Sequence, residues 1–266
     1  LSLHMTGGID TVRAGLGSIS GEYTSLTSAS GIEVLLGYGL PMAIGLISGP
    51  FGDQCFWQRA FAVRKDRIGR AFFAGALLFA LVPLSMGTVG FLAAGAGFIA
   101  NDAGMVNFEF VSSLLPAWVL VPFLCMIVSG LLSTVDSNLC AAASLTTDWL
   151  GIGKDTVQTS RRTMLCLLAV AIAIANIPGL TVTYLFLFYG TLRASTLLPT
   201  VMTLLGKKLT GKGVFIGVLT ALCVGLPIFA YGNLAGLPAV KAAGSLTTVL
   251  SSGIVAAIAS RKAVKA

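Results

Sequence analysis

Charged side chains are scarce in this sequence. Lys, Arg, Asp and Glu make up 10% of its 266 residues, whereas a soluble domain carries about 25%. Hydrophobic residues make up 56%, and the mean hydropathy is +0.92. This composition excludes an ordinary water-soluble domain and indicates an integral membrane protein.

Acidic residues are the scarcer of the two charge types, with 10 Asp and Glu against 17 Lys and Arg. The net charge of +7 would raise nucleic acid as a partner in a soluble chain. Here the basic residues stand between long apolar runs and are not interleaved with aromatic residues. Orientation in a bilayer explains them better than phosphate binding, so we expect no nucleic-acid partner.

A second histidine and any closely spaced pair of cysteines are also missing. His4 is the single histidine, so neither a Ser-His-Asp triad nor a His-based metal site can be assembled. The cysteines stand singly in apolar stretches and are interpreted as small buried hydrophobes. They are Cys55, Cys125, Cys140, Cys166 and Cys223. We therefore expect no enzyme and no organic cofactor.

Long apolar runs are what the sequence has in abundance. A bilayer crossing takes roughly 20 largely apolar residues, and seven segments reach that length, which predicts an all-α membrane protein. They run over approximately 31–62, 69–96, 112–147, 161–178, 182–206, 213–232 and 245–260. The first and third exceed one crossing, so each is expected to continue into an aqueous loop or to be broken. The Gly-Pro pattern from Ser48 to Asp53 predicts a break in the first.

Basic residues follow every second segment. Fourteen of the seventeen lysines and arginines do so: Arg59, Arg64, Lys65, Arg67, Arg70, Lys154, Arg161, Arg162, Lys207, Lys208, Lys212, Arg261, Lys262 and Lys265. Because short cytoplasmic loops retain Lys and Arg, we predict a multi-pass plasma-membrane protein with its C-terminus in the cytoplasm and the N-terminus of this chain outside.

The start of the chain shows no initiator methionine at Leu1 and no signal-peptide pattern. An external N-terminus then implies preceding helices of a longer polytopic protein, with residues 1–30 forming an extracellular loop or a surface helix. Ordinary insertion with the N-terminus outside, after processing, is the alternative.

Three ionisable residues fall at membrane depth, where they are functional candidates because an unpaired charge is costly there. They are Asp53, Asp136 and Arg193. Ser133, Asp136, Ser137 and Cys140 share one helical face. The oxygens of Ser133, Asp136 and Ser137 form a stripe suited to a hard cation. Simple hydrogen bonding of the hydroxyls to backbone or neighbouring helices is the alternative.

Arg193 and Asp53 each have two interpretations. Arg193 would form an intramembrane ion pair with Asp136 or Asp53, or would clamp the carboxylate of a solute through its two-point fork. Asp53 would accept hydrogen bonds from backbone donors that the break exposes, or would serve the functional site directly.

Two motifs carry a family resemblance. One runs from Gly52 to Ala62, reads Gly-Asp-Gln-Cys-Phe-Trp-Gln-Arg-Ala-Phe-Ala and precedes a basic loop. It resembles the sixth core helix of the sodium:solute symporters, with a spelling closest to the urea-type branch of plants and fungi. The other runs from Leu132 to Ser137 and on to Thr147-Asp148-Trp149. It is similar to the eighth core helix of that family, where paired hydroxyl residues bind sodium.

This resemblance, over about residues 31–212, implies a fold of two inverted repeats of five helices. The chain would supply the second repeat over 31–212 and two peripheral helices over 213–266. The implied function is sodium-coupled symport of a small polar organic solute by alternating access. The first core helices, which have no counterpart here, would come from the same protein, and this chain would not transport alone.

The resemblance also implies site residues. The sodium ligands would be Gly130, Ser133 and Thr134, and Asp136 and Ser137 would hold a second cation or a proton. The solute would contact Leu46, Ser48, Gly49, Phe51 and Arg193. Gly49 stands where sugar-transporting relatives carry an aromatic gate, and their polar sugar-binding residues are absent, so sugar is disfavoured. A seven-helix receptor or a sensory membrane module without transport is the alternative function.

Overall fold

A computed structural model describes residues 6–18, 25, 27–151, 156–179 and 181–265. His4 and Lys154 lie outside this part of the chain. The described residues form helices and no strand. The helices are α1 Ile9–Gly15, α2 Ala29–Gly52, α3 Gln54–Ala62, α4 Ile68–Gly95, α5 Val106–Leu114, α6 Ala117–Leu150, α7 Thr156–Ala175, α8 Val182–Leu204, α9 Gly211–Leu234 and α10 Pro238–Lys265. Seven of them, α2, α4 and α6 to α10, are long and apolar enough to cross a membrane, which confirms the predicted helical membrane fold.

The predicted break in the first segment lies at Asp53. Helix α2 ends at Gly52, and Asp53 has the extended backbone angles φ −107° and ψ 118°. Helix α3 begins at the next residue, Gln54. Asp53 therefore ends one helix and serves as the N-cap of the next, a position that Asp favours.

Two π-helical turns that the sequence does not predict interrupt the spanning helices. One covers Leu35–Gly39 in α2 and the other Ala221–Gly225 in α9. Each comes just before a proline, Pro41 and Pro227 respectively. Because proline lacks an N–H and its ring presses on the carbonyl of the preceding turn, a wider turn relieves the clash.

The third segment begins later than predicted. Leu115 is extended, with φ −113° and ψ 145°, because the ring of Pro116 disfavours the helical conformation of the residue before it. The short helix α5 therefore ends at Leu114, and α6 starts at Ala117. Helix α6 then continues for 34 residues without a break. At 1.5 Å per residue this is about 50 Å, longer than one crossing of the hydrocarbon core.

The contacts within the chain divide it into two compact units. The first comprises Leu1–Gly31 and Ala60–Ser137. In it α1 packs on α4 where two glycines meet, since a Cβ on Gly15 would overlap the carbonyl oxygen of Phe91 and one on Gly95 that of Thr11. A small core of Leu92, Ala93 and Phe110 lies beside this contact. The extracellular position of residues 1–30 stays a prediction.

The second unit comprises Ile32–Arg59 and Asn138–Ala266. Helix α8 crosses α2 at Gly45 and Gly190, where a Cβ on Gly45 would lie 2.8 Å from the Gly190 Cα. Helices α9 and α10 also pack through small residues. These close crossings are typical of membrane helices, whose association depends on van der Waals packing. They hold the helices around the candidate site in place. The division into a repeat at 31–212 and peripheral helices at 213–266 stays a prediction.

Candidate functional site

A cavity of about 370 Å³ lies in the second unit, beside the break between α2 and α3, and its mostly apolar wall carries a cluster of polar side chains. Its polar lining residues are Asp53, Gln54, Asn138, Tyr189, Arg193, Ser195 and Thr196. Alanine, leucine and valine residues of α6, α8 and α9 complete the wall. The volume is at the lower end of the range of ligand pockets, roughly 300–1,000 Å³. Such a cavity suits a small solute that makes several hydrogen bonds.

The carboxylate of Asp53 is the central acceptor of the site. Its Oδ2 accepts a charge-assisted hydrogen bond from Arg193 Nη2 at 2.7 Å and a longer one from the Tyr189 hydroxyl at 3.4 Å. Its Oδ1 accepts from the backbone N–H of Cys55 at 3.1 Å. The side chain is 9% exposed. The break in the helix thus places a buried carboxylate at the cavity wall, and both of its oxygens accept hydrogen bonds.

Arg193 is held on two sides. Its guanidinium carbon lies 4.0 Å from the centre of the Tyr189 ring, a cation–π contact with a residue one turn earlier on α8. Asp53 binds one terminal nitrogen, while the buried Nε has no hydrogen-bond partner among the residues that the structure describes. Of the interpretations open for Arg193, the structure shows the ion pair with Asp53. The backbone contact expected for Asp53 is present as well.

Glycines of α2 make room for this arrangement. A Cβ on Gly49 would lie 3.3 Å from Arg193 Nη1, and one on Gly52 would overlap the Thr196 hydroxyl. Helix α2 therefore approaches α8 closely enough for the guanidinium to occupy the volume that a side chain at position 49 would fill.

Helix α3 is anchored to α6 by polar contacts within the same unit. Gln58 Nε2 donates to the Ser144 hydroxyl at 2.8 Å, and the Cys55 thiol donates to Asn138 Oδ1 at 3.5 Å. The Cys55 side chain is 7% exposed, so it packs inside this contact.

The family model of the sodium:solute symporters matches residues 1–221. The chain belongs to the sodium:solute symporter family. The urea-proton symporter DUR3 of Oryza sativa subsp. japonica is 25% identical over an alignment that covers 92% of this chain and 37% of the relative. The chain thus spans little more than a third of the length of this curated relative. No solved structure matches it significantly.

Membership of the symporter family confirms the resemblance seen in the two motifs. Together with the seven candidate spans, it indicates a multi-pass membrane protein. The structure also gives the motif residues physical roles, since Asp53 forms the ion pair of the cavity and Gln58 ties α3 to α6.

Of the five residues predicted to contact the solute, Arg193 lines the cavity and the other four do not. The hydroxyl of Ser48 is buried and donates to the Ile44 carbonyl. Gly49 is buried next to Arg193, and Leu46 is 53% exposed. The carbonyl of Phe51 accepts from the Trp57 indole at 3.3 Å. A direct solute contact of these four residues stays a prediction.

The predicted cation ligands lie on α6, in the first unit. Thr134 Oγ1 donates to the Gly130 carbonyl at 3.0 Å, and Ser137 Oγ donates to the Ser133 carbonyl at 2.8 Å. Ser133 and Asp136 are exposed. These residues therefore lie on one continuous helix, and the hydroxyls of Thr134 and Ser137 make the backbone bonds that were the alternative interpretation. Cation binding by these residues stays a prediction.

Several polar residues of the cavity were missed by sequence reasoning. Tyr189, Arg193 and Thr196 lie at i−4, i and i+3 of one helix, so the helical face of Arg193 could have identified two of them. Gln54 follows the break directly. Asn138 and Ser195 carry no such signal, because neutral polar residues are frequent in membrane helices.

Proposed function

We propose that the protein is a sodium-coupled symporter of a small polar organic solute, working by alternating access. The observation that supports this most is the cavity with polar side chains at the Asp53 break, in a chain of the symporter family. Secondary transporters hold their solutes near the membrane midplane at broken helices, where backbone and side-chain polar groups converge. Because the rice relative is named a urea-proton symporter, urea is the first solute to test.

The driving ion is proposed to bind oxygen atoms of α6. Gly130, Ser133 and Thr134 would ligate sodium, and Asp136 and Ser137 would hold a second cation or a proton. A hydroxyl that donates its hydrogen to a carbonyl, as Thr134 does, keeps its oxygen lone pairs for a cation. Oxygen ligands suit hard cations. A proton is the alternative driving ion, since the rice relative is named a proton symporter.

The proposed setting is the plasma membrane, with the N-terminus of this chain outside and the C-terminus in the cytoplasm. Further helices of the same polypeptide would cover α6 and α7, whose most apolar windows have no residue buried within the chain. The much greater length of the rice relative is consistent with such helices. The lipid bilayer and the solute are the remaining partners of this proposal.

Uptake of radiolabelled urea into proteoliposomes tests the function. The protein is expressed from its complete coding sequence, and an inward sodium gradient is compared with choline at equal pH. We expect sodium to accelerate uptake. Ser133→Ala and Thr134→Ala should each remove this acceleration, because each deletes an oxygen ligand. Asp136→Asn should change the sodium-to-urea stoichiometry or the pH dependence of uptake.

Ser85→Ala is the matched control, because Ser85 is an exposed residue of α4 that makes the same i−4 backbone bond. It should leave sodium-dependent uptake unchanged. Uptake that follows a proton gradient and ignores sodium would reject the sodium assignment and favour the proton. Uptake equal to that of empty liposomes under both gradients would reject urea transport.

A further inference from the structure

The charged groups that line the cavity cancel each other. Asp53 and Arg193 are the charged residues among the lining positions, and they pair at 2.7 Å. Their side chains are 9% and 20% exposed, so the pair is largely shielded from solvent. The remaining polar lining groups are amides and hydroxyls, which carry no charge. The cavity therefore presents hydrogen-bonding groups around a neutral pair.

An anionic solute would have to compete with Asp53 for Arg193. If it displaced the carboxylate, Asp53 would remain buried without its cation, and breaking a buried pair in this way is strongly unfavourable. If it shared the guanidinium, two negative charges would lie within a few ångströms of each other in a poorly solvated site. The Arg193 fork is thus not a free carboxylate clamp.

An uncharged solute meets neither penalty. Gln54 supplies both donors and an acceptor, and the hydroxyls of Ser195 and Thr196 donate to the carbonyls of Leu192 and Arg193, which leaves their oxygens as acceptors. A solute that carries N–H donors and a carbonyl acceptor can use such groups without disturbing the ion pair. A site that hydrogen-bonds its solute in this way discriminates strongly against analogues that leave buried polar groups unpaired.

We propose that Asp53 determines the solute class of this cavity by neutralising Arg193, so that the cavity accepts small uncharged amide-type solutes and rejects carboxylates. The inference rests on the proposed function, since it assigns the solute class of the same site. Asp53 is then a residue that determines specificity. Arg193 is a structural cation that pairs with Asp53, and it does not bind the carboxylate of a solute.

Acetamide and acetate test the proposal, because they have the same number of heavy atoms and differ in charge. Each is used at pH 7 to compete with radiolabelled urea for uptake by the protein expressed from its complete coding sequence. Each is also used to raise the melting temperature of the purified protein in detergent, a binding measurement that needs no transport. We expect wild-type protein to prefer acetamide over acetate by about tenfold or more.

Asp53→Asn should reverse this preference, because it releases Arg193 while the amide oxygen can still accept from the Cys55 N–H. The double variant Asp53→Asn with Arg193→Gln should lose the gain in acetate binding, because both charges are gone. Asp66→Asn is the matched control, since Asp66 is an exposed carboxylate of a loop that pairs with Arg64. It should keep the wild-type preference.

The two readouts separate the inference from the proposed function. A melting shift with acetamide and none with acetate, in a protein without urea uptake, would support the solute class and reject transport. Wild-type protein that binds acetate as well as acetamide would overturn the inference even with active urea uptake. The absence of any shift with either probe would also overturn it. If Asp53→Asn does not fold, the wild-type preference and the double variant still decide the result.

Discussion

Gly49 makes room for the cation of the site by having no side chain. A Cβ at this position would lie 3.3 Å from Arg193 Nη1 and 3.8 Å from the Phe56 ring. The guanidinium can therefore reach Asp53 only because α2 has no side chain at position 49. The position where the family resemblance predicts an aromatic gate in sugar-transporting relatives is here a glycine beside an arginine of α8.

Gly49→Leu should push the Arg193 guanidinium away from Asp53 and leave the buried carboxylate unpaired. We expect a loss of about 3 kcal/mol in the free energy of unfolding, the lower end of the range for breaking a buried ion pair. Thermal unfolding in detergent measures it. Gly75→Leu on α4 is the control, because nothing lies within 4 Å of a Cβ there. Equal melting temperatures of the two variants would contradict this account.

The residues of the ion pair could be predicted from the sequence, whereas the cavity could not. Asp53 and Arg193 attract notice because a charge at membrane depth requires a partner or water. Their pairing joins positions 140 apart in the chain, and both Asp53 and Asp136 were open as partners. Only the crossing of α2 and α8 at Gly45 and Gly190 selects Asp53. The cavity depends on the same crossing, so its neutral polar residues escaped notice.

Helices α9 and α10 pack closely at glycines of α9, where a side chain would not fit. A Cβ on Gly217 would overlap the carbonyl oxygen of Ser252, and one on Gly225 would overlap the Thr248 hydroxyl. Ser252 and Thr248 are fully buried. The two helices thus approach through small residues along their length, as small-residue motifs allow in membranes.

Gly217→Ala should therefore destabilise the protein by about 2 kcal/mol, because the added methyl group meets backbone that must move. Gly211→Ala, on the same helix, is the matched control, since nothing lies within 4 Å of its Cβ and alanine is the better helix former. It should leave the melting temperature unchanged or raise it. A Gly217→Ala protein as stable as the Gly211→Ala protein would reject the close packing of α9 on α10.

At the scale of elements, helix existence and the main break follow from the sequence, but the local irregularities do not. Seven apolar runs predicted seven spanning helices, and the Gly-Pro pattern before Asp53 predicted the break. The π turns before Pro41 and Pro227 cannot be recognised from the pattern of hydrophobic residues. A wider turn rotates the rest of the helix, but the segment stays uniformly apolar. The late start of α6 was missed because Pro116 stands inside an apolar run.

For the whole molecule, the distribution of charge predicts the orientation. Basic residues follow α3, α6 and α8 and stand at the end of α10, while acidic Asp102 precedes α5 and Glu109 lies in its first turn. Glu109 accepts from the backbone N–H groups of Asn101 and Asp102, so its charge organises the loop before α5. Because Lys and Arg resist translocation and Asp and Glu hardly affect it, the basic loops are expected in the cytoplasm.

Single-cysteine labelling of intact cells tests this orientation. In a variant whose native cysteines are replaced by alanine, Ile99→Cys and Lys208→Cys are each treated with a membrane-impermeant maleimide. Ile99 is 81% exposed in the loop after α4, and Lys208 is exposed in the loop after α8. We expect Ile99→Cys to react with intact cells and Lys208→Cys only after permeabilisation. The opposite pattern would place the basic loops outside. Reaction of both in intact cells would instead contradict the count of spans between them, because α6, α7 and α8 are an odd number of crossings and must place these loops on opposite sides.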